Sequence, residues 1–125
     1  LAVGDRRKGE GIMHELGVLN SMVHTIERIV KEQNVTEVHK LVIEVGELSG
    51  IVPRYLEKSW PAASYKTFME KTELELIVIP GIVKCKNCNR VFNAVYNDLN
   101  CPDCNGKDME ILEGDDMVIK EIVCN

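Results

Sequence analysis

Four of the five cysteines fall into two pairs, CKNC at Cys85 and Cys88 and CPDC at Cys101 and Cys104, with twelve residues between them. Nothing else in the chain constrains its fold as tightly, because two CxxC knuckles at this spacing bring four sulfurs to one tetrahedral ion. Four thiolates fill the coordination of zinc and leave no position for water, so such a site is structural and not hydrolytic. The surrounding stretch, KCKNCNRVFNAVYNDLNCPDCNGKD, is rich in cysteine and asparagine and poor in large aliphatics. A module of that composition buries little core of its own and folds around its metal. Two other readings fit the same residues: a pair of redox dithiols, and a rubredoxin-like iron site, which a Cys-Pro-x-Cys knuckle also permits. The spacing of the two knuckles and the absence of a βαβ pattern around them favour a four-cysteine metal site over redox dithiols, with zinc as the favoured ion. Cys124 lies far from both knuckles and reads as a small buried apolar residue in a strand.

The rest of the chain sets the frame for this module. Its 125 residues suit one compact unit with a small appended module, and 45% hydrophobic against 28% charged residues gives enough apolar matter for a core. A net charge of -5 argues against a protein that coats nucleic acid, which usually carries a basic stripe. Within the ribbon, Lys84, Lys86, Arg90 and Lys107 stand against Asp98 and Asp103, a balance of 4 - 2 = +2, which four thiolates and one Zn²⁺ offset by -4 + 2 = -2. The loaded module is near neutral, which weakens the alternative of a zinc-ribbon nucleic-acid adaptor. No apolar run approaches the roughly 18–20 residues that cross a bilayer, and no secretory h-region is present. A cytoplasmic protein is expected, in which cysteines are metal ligands or catalytic thiols before they are disulfides.

Hydrophobic spacing gives the elements. Leu16, Leu19, Met22 or Val23, Ile26, and Ile29 or Val30 recur at helical period, so a helix runs from about Glu15 to Gln33 with Asn34 as its stop. The stretch EVHKLVIEVGELSG reads as a strand, central in a small sheet because its apolar run is nearly continuous, leading into a Gly-Glu-Leu-Ser-Gly turn. A second helix opens at Pro53, with Leu56, Trp60 and Phe68 on its core face. Pro61 interrupts it, so a kink or two short pieces meeting near Trp60 are expected. TELELIVIP is a strand with one wet face, and MEILEGDDMVIKEIVC gives two alternating stretches about Gly114, the second returning to the main sheet. The fold class is α+β: a small mixed β-sheet with two helices and an inserted four-cysteine zinc ribbon.

The sequence MHEL at Met13 to Leu16 carries a second kind of metal chemistry. If Met13 bears a free α-amine, that amine, the His14 backbone nitrogen and the His14 imidazole close two chelate rings on one ion, and the Glu15 backbone nitrogen adds a fourth donor. Planar nitrogen coordination suits Ni(II) or Cu(II), and the spacing does not choose between them. His24 and His39 read as ordinary helix and strand-edge residues; Glu44 and Glu47 could line a cleft, but charges at a strand end are usually just solvated. There is no GxxxxGK[ST] loop, so any nucleotide hydrolysis falls to a partner. No Ser-His-Asp set appears in order, which leaves no sign of an enzyme.

Met13-His14-Glu15-Leu16, the VGELSG turn and the late pair of CxxC knuckles together resemble the HypA/HybF nickel-insertion accessory proteins of [NiFe]-hydrogenase maturation, over Met13 to Asn125. The resemblance implies nickel at Met13, His14 and Glu15, and a zinc ribbon at Cys85, Cys88, Cys101 and Cys104. It also implies a HypB-type GTPase partner and delivery of Ni²⁺ to the hydrogenase large-subunit precursor, with Zn²⁺ as the structural ion. A thiol oxidoreductase is a second rival of another class. A homodimer is compatible with the sequence, and Pro61 after Trp60 departs from the family pattern. The expected division is a nickel-binding α+β domain over 13–80 and 111–125 and a zinc-ribbon domain over 81–110. Residues 1–12 are expected to be a non-native or disordered leader. RRKGEG is a set of residue types that purine-only codons encode, as a translated ribosome-binding sequence would be, and Leu1 fits a TTG codon.

Overall fold

A computed structural model of the chain describes residues 10–124. Of the expected leader, residues 1–9 lie outside the described residues. Helix α1 runs from Glu10 to Glu32, starting upstream of the expected Glu15. The apolar spacing of Leu16, Leu19, Val23, Ile26 and Val30 continues back to Ile12, so nothing in the pattern ends the helix at Glu15. At the other end Asn34 adopts a left-handed φ of 57°. Val35 N–H donates to Val30 O at 2.9 Å and Asn34 N–H to Lys31 O at 3.3 Å, which closes the last carbonyls in a Schellman arrangement.

Strand β1 (Val38–Gly46) lies at the centre of a three-stranded sheet of order β2-β1-β6, with β2 at Glu73–Ile79 and β6 at Met117–Cys124. β1 and β2 are parallel, from Lys40 beside Glu73 to Gly46 beside Ile79, and helix α2 (Pro53–Ser64) makes the crossover that parallel pairing requires. β6 returns antiparallel to β1, with a bulge that leaves Lys120 without an opposite residue between Val42–Glu121 and Ile43–Ile119. The bulge keeps both Ile119 and Ile122 packed on the helix side of the sheet. There Leu19, Ile26, Leu41, Ile43, Leu56 and Met69 are fully buried.

Helix α2 passes through Pro61 in one piece and not as two short pieces, the second of the two expected outcomes. Pro61 withdraws a donor only from Glu57 O, and both residues are exposed. Trp60 anchors the helix, its Nε1–H donating to Thr72 O at 3.0 Å, while Thr72 Oγ1 donates to Val38 O at 2.6 Å. Phe68 falls beyond the helix end and is 37% exposed; Met69 takes the core place expected of it.

The second sheet, of order β4-β3-β5, is antiparallel: β3 Ile82–Cys85, β4 Val91–Asn93 and β5 Met109–Glu113. β5 pairs with β3 as far as Glu113 beside Ile82, so the expected boundary between residues 110 and 111 falls inside this strand. Its small core is Val83, Cys85, Phe92, Ala94 and Cys101, joined by Leu48 from the VGELSG turn. That turn stitches the two sheets. Glu47 N–H donates to Ile79 O at 2.9 Å and Leu48 N–H to Gly114 O at 2.8 Å. The Glu47 carboxylate accepts from Gly81 N–H at 2.9 Å and Asn93 Nδ2 at 3.3 Å. Gly114, at φ 85°, is required here: a Cβ would sit 2.3 Å from Pro80 O.

Candidate metal centre

The four knuckle cysteines come together as expected, their sulfurs all within 4.8 Å of one another. Cys85 and Cys104 are 3.6 Å apart and Cys88 and Cys101 3.5 Å. An ion with Zn–S bonds of about 2.3 Å sets tetrahedral sulfur–sulfur edges of about 3.8 Å, so the cluster has the size of one tetrahedral ion. Among the described residues it is the only cluster of three or more potential protein ligands.

The two knuckles are built by the same hydrogen bonds. Asn89 N–H donates to Cys85 O at 2.9 Å and Asn105 N–H to Cys101 O at 2.9 Å. Cys85 N–H returns to Arg90 O at 2.8 Å, and Cys101 N–H to Gly106 O at 2.9 Å. Asn89 and Asn105, each just after the second cysteine of its pair, are left-handed at φ 64° and 59°. Asparagine tolerates that well better than other side-chain-bearing residues. Cys85 and Cys101 face inward and are buried, while Cys88 and Cys104 are exposed. Gly106 lets the second knuckle close, since a Cβ there would meet Asn87 Nδ2 at 2.7 Å and Cys104 Sγ at 3.2 Å.

Backbone N–H groups aimed at the sulfurs tune them unequally. The N–H of Cys88, with that of Asn87, holds the Cys85 thiol down to about 7. Arg90 N–H favours the Cys88 thiolate, but the nearby Cys101 sulfur and burial outweigh it and push Cys88 up to about 12. Cys104 is also raised: Gly106 N–H favours its thiolate, and the Cys85 sulfur and burial overcome that. One sulfur is therefore charged early and others are held as thiols until a cation arrives. Around them Arg90 pairs with Asp103 at 2.9 Å and Lys86 lies 3.8 Å from Asp108, so two of the module's basic groups face acids and form no open basic stripe.

The other expected site residues lie on α1. Met13 is in the helix, as are His14 and Glu15. A helix begun at Glu10 directs the N–H groups of His14 and Glu15 toward the carbonyls of Glu10 and Gly11, so in this conformation they belong to the helix ladder. His14 is partly exposed, with Nδ1 3.7 Å from Glu15 Oε1. The Glu15 side chain is fully buried, and its Oε2 accepts from Val52 N–H at 2.7 Å. Val52 is the N-cap of α2, and α2 has neither a side-chain cap nor an acidic residue in its first turn. Glu15 thus caps α2 from α1, a role that MHEL gave no means of reading. Asn89, Asn105 and Gly106 were missed as well, and Glu47, read as a solvated charge, instead accepts from Gly81 N–H and Asn93 Nδ2. The repeated asparagine after each CxxC was the available signal for the first two. His24 is exposed on α1, and His39 stands on β1 with Nδ1 3.7 Å from Glu37 Oε1. Cys124 ends β6, partly buried.

Comparison with known proteins agrees over nearly the whole chain. The profile of the family described as "Hydrogenase/urease nickel incorporation, metallochaperone, hypA" matches residues 13–124. The chain is 33% identical over 113 residues to the hydrogenase maturation factor HypA of Francisella philomiragia, covering 90% of this chain and 100% of that one. It is 31% identical over 110 residues to the factor of the same name from Aquifex aeolicus, covering 88% and 96%. The fold is shared with the solution structure of the Ni metallochaperone HypA from Helicobacter pylori, at TM-score 0.62 and 19% identity, covering 88% of this chain and 96% of that one.

Proposed function

Since the chain belongs to the HypA family of hydrogenase and urease nickel-incorporation metallochaperones, we propose that it binds Ni(II) at Met13, His14 and Glu15 and helps insert it into a [NiFe]-hydrogenase large-subunit precursor. The observation that carries this reading is the family match across residues 13–124, which takes in both the MHEL segment and the four-sulfur centre. Zinc at Cys85, Cys88, Cys101 and Cys104 is the resident ion. Saturated tetrahedral thiolate coordination suits a permanent structural role, and the small ribbon core supports it. Nickel is cargo and needs a site that opens.

Chemistry favours the amino-terminal end of α1 for that purpose. In a chain that begins at Met13, the first four N–H groups of the helix lack intrahelical acceptors. His14 and Glu15 nitrogens are then available beside the amine and the His14 imidazole, and a planar set forms by rearranging a single turn. With Met13 preceded by other residues, its nitrogen is a peptide nitrogen that binds only after losing a proton. The chain makes or breaks no covalent bond in this role. Release is coupled to a GTPase of the HypB type, in keeping with the lack of a phosphate-binding loop in the sequence. The protein acts in the cytoplasm; no helix among the described residues is long and apolar enough to cross a membrane.

The test is nickel titration by calorimetry on two chains, residues 1–125 and 13–125, each with and without His14→Ala, alongside metal analysis. The shorter chain should bind nickel more tightly, His14→Ala should abolish that binding, and zinc should remain in all four proteins. Equal affinity with and without His14 would place nickel elsewhere.

A further inference from the structure

The two knuckles share their backbone hydrogen bonds and their left-handed asparagine, but the residue after that asparagine differs. Asn89 precedes Arg90, and Asn105 precedes Gly106. A glycine nitrogen has no neighbouring Cβ to obstruct its approach to the preceding side-chain carboxamide, and glycine's backbone rotates freely. Asn105 is exposed, so water reaches it. In the closed knuckle, however, four restraints oppose ring closure. Gly106 N–H is turned toward Cys104 Sγ. Gly106 O accepts from Cys101 N–H, and Asn105 N–H is bound to Cys101 O, both at 2.9 Å. Asn105 must also leave its left-handed well, at φ 59°, to bring its own carboxamide carbon to the next nitrogen.

We propose that Asn105 is a deamidation site gated by the metal of the ribbon. Loading the four sulfurs locks the knuckle and preserves Asn105. When the metal leaves, the knuckle opens and the Gly106 nitrogen attacks Asn105 Cγ. A C–N bond forms, the Cγ–N bond to the carboxamide nitrogen breaks, and ammonia departs with the proton lost from Gly106 nitrogen. Water then opens the resulting succinimide to aspartate or to isoaspartate. Both products place a negative charge next to Cys104, where a thiolate must form. Isoaspartate also adds a backbone carbon between Cys104 and Gly106, so the Gly106 amide no longer reaches both the Cys104 sulfur and the Cys101 N–H. A ribbon left empty long enough loses the ability to reload. The inference rests on the four-cysteine metal reading and is independent of nickel.

The full chain, zinc-loaded or stripped with a chelator under reductant, is incubated at neutral pH and mapped by peptide mass spectrometry, with isoaspartate detected by enzymatic methylation. Zinc content is measured on the same samples before and after reloading. Asn105 should convert severalfold faster in the stripped chain, Asn89 should persist in both, and zinc uptake on reloading should fall in step with conversion. Asn105→Gly keeps the left-handed backbone without a carboxamide, and should reload fully after the same incubation. Equal conversion of Asn105 in loaded and stripped protein would overturn the gating. Loss of reloading in Asn105→Gly at the unsubstituted rate would overturn its consequence. A chain that takes up no zinc at the outset would overturn the metal reading itself.

Discussion

A carboxylate removed from water must be held by donors, and Glu15 is held by the end of another helix. The first turn of α2 presents unsatisfied N–H groups and the positive end of its dipole, and Pro53 at its first position has no N–H to offer. Glu15→Ala strands Val52 N–H in a partly buried place, empties the space of a fully buried side chain, and should cost about 2 kcal/mol. Glu15→Gln keeps an acceptor and should cost about 1 kcal/mol by losing the charge. Urea denaturation of the zinc-loaded proteins separates the two, and an unchanged midpoint for the alanine variant would exclude the cap. At the cysteines the unequal thiols set a pH dependence. Cys85, lowered to about 7, is largely thiolate above that pH, whereas Cys88, raised to about 12, and Cys104, also raised, are protonated at neutrality. Zinc must displace those protons, so uptake releases acid and weakens as pH falls, most steeply once Cys85 also gains its proton. Calorimetry in two buffers of different ionisation heat should show net proton release at neutral pH.

Among the elements, those with a long unambiguous period were legible. The spacing in α1 and the apolar run of β1 each admit one partner surface, and the strand from Met117 returns to β1 because its apolar residues have no other core to enter. β5 was not legible in the same way. MEILE alternates, but alternation does not say which sheet it joins, and four of its five residues remain exposed beside β3. The two-piece expectation at Pro61 failed for a related reason: the cost of a helical proline depends on its surroundings, and only the fold shows that Pro61 and Glu57 are both exposed on α2. The cysteine pairs were legible because their chemistry is local, while the buried end of Glu15 depends on a residue far along the chain. The separate cores of the two sheets lead to a prediction for the elements they stabilise. Cys88→Ala should release zinc and expose the amides of β3, β4 and β5 to hydrogen exchange, while α1, α2 and the β2-β1-β6 sheet keep their protection. Stoichiometric zinc in that variant would exclude the four-sulfur assignment.

Across the whole molecule, the modules meet at the turn from Gly46 to Ser49 and at the two strand ends it contacts. Glu47 binds the chain as it enters the ribbon, at Gly81, and Leu48 binds it as it leaves, at Gly114. Gly114 packs so closely on Pro80 that entry and exit touch. That closeness has a consequence for the order of assembly. The main sheet is complete only when β6 pairs with β1, after the whole ribbon has been strung between β2 and β6. For an unfolded ribbon this means closing a long flexible loop, with the entropy loss that accompanies it. A ribbon already folded on zinc holds its two ends together and presents β6 at the edge of β1, so the search collapses to a short one. Refolding from denaturant, monitored by Trp60 fluorescence, should therefore be faster with zinc present from the start than with zinc added after dilution. The insertion then works as a clasp that shortens the path to the native sheet, and a cell short of zinc would make this protein slowly as well as incompletely.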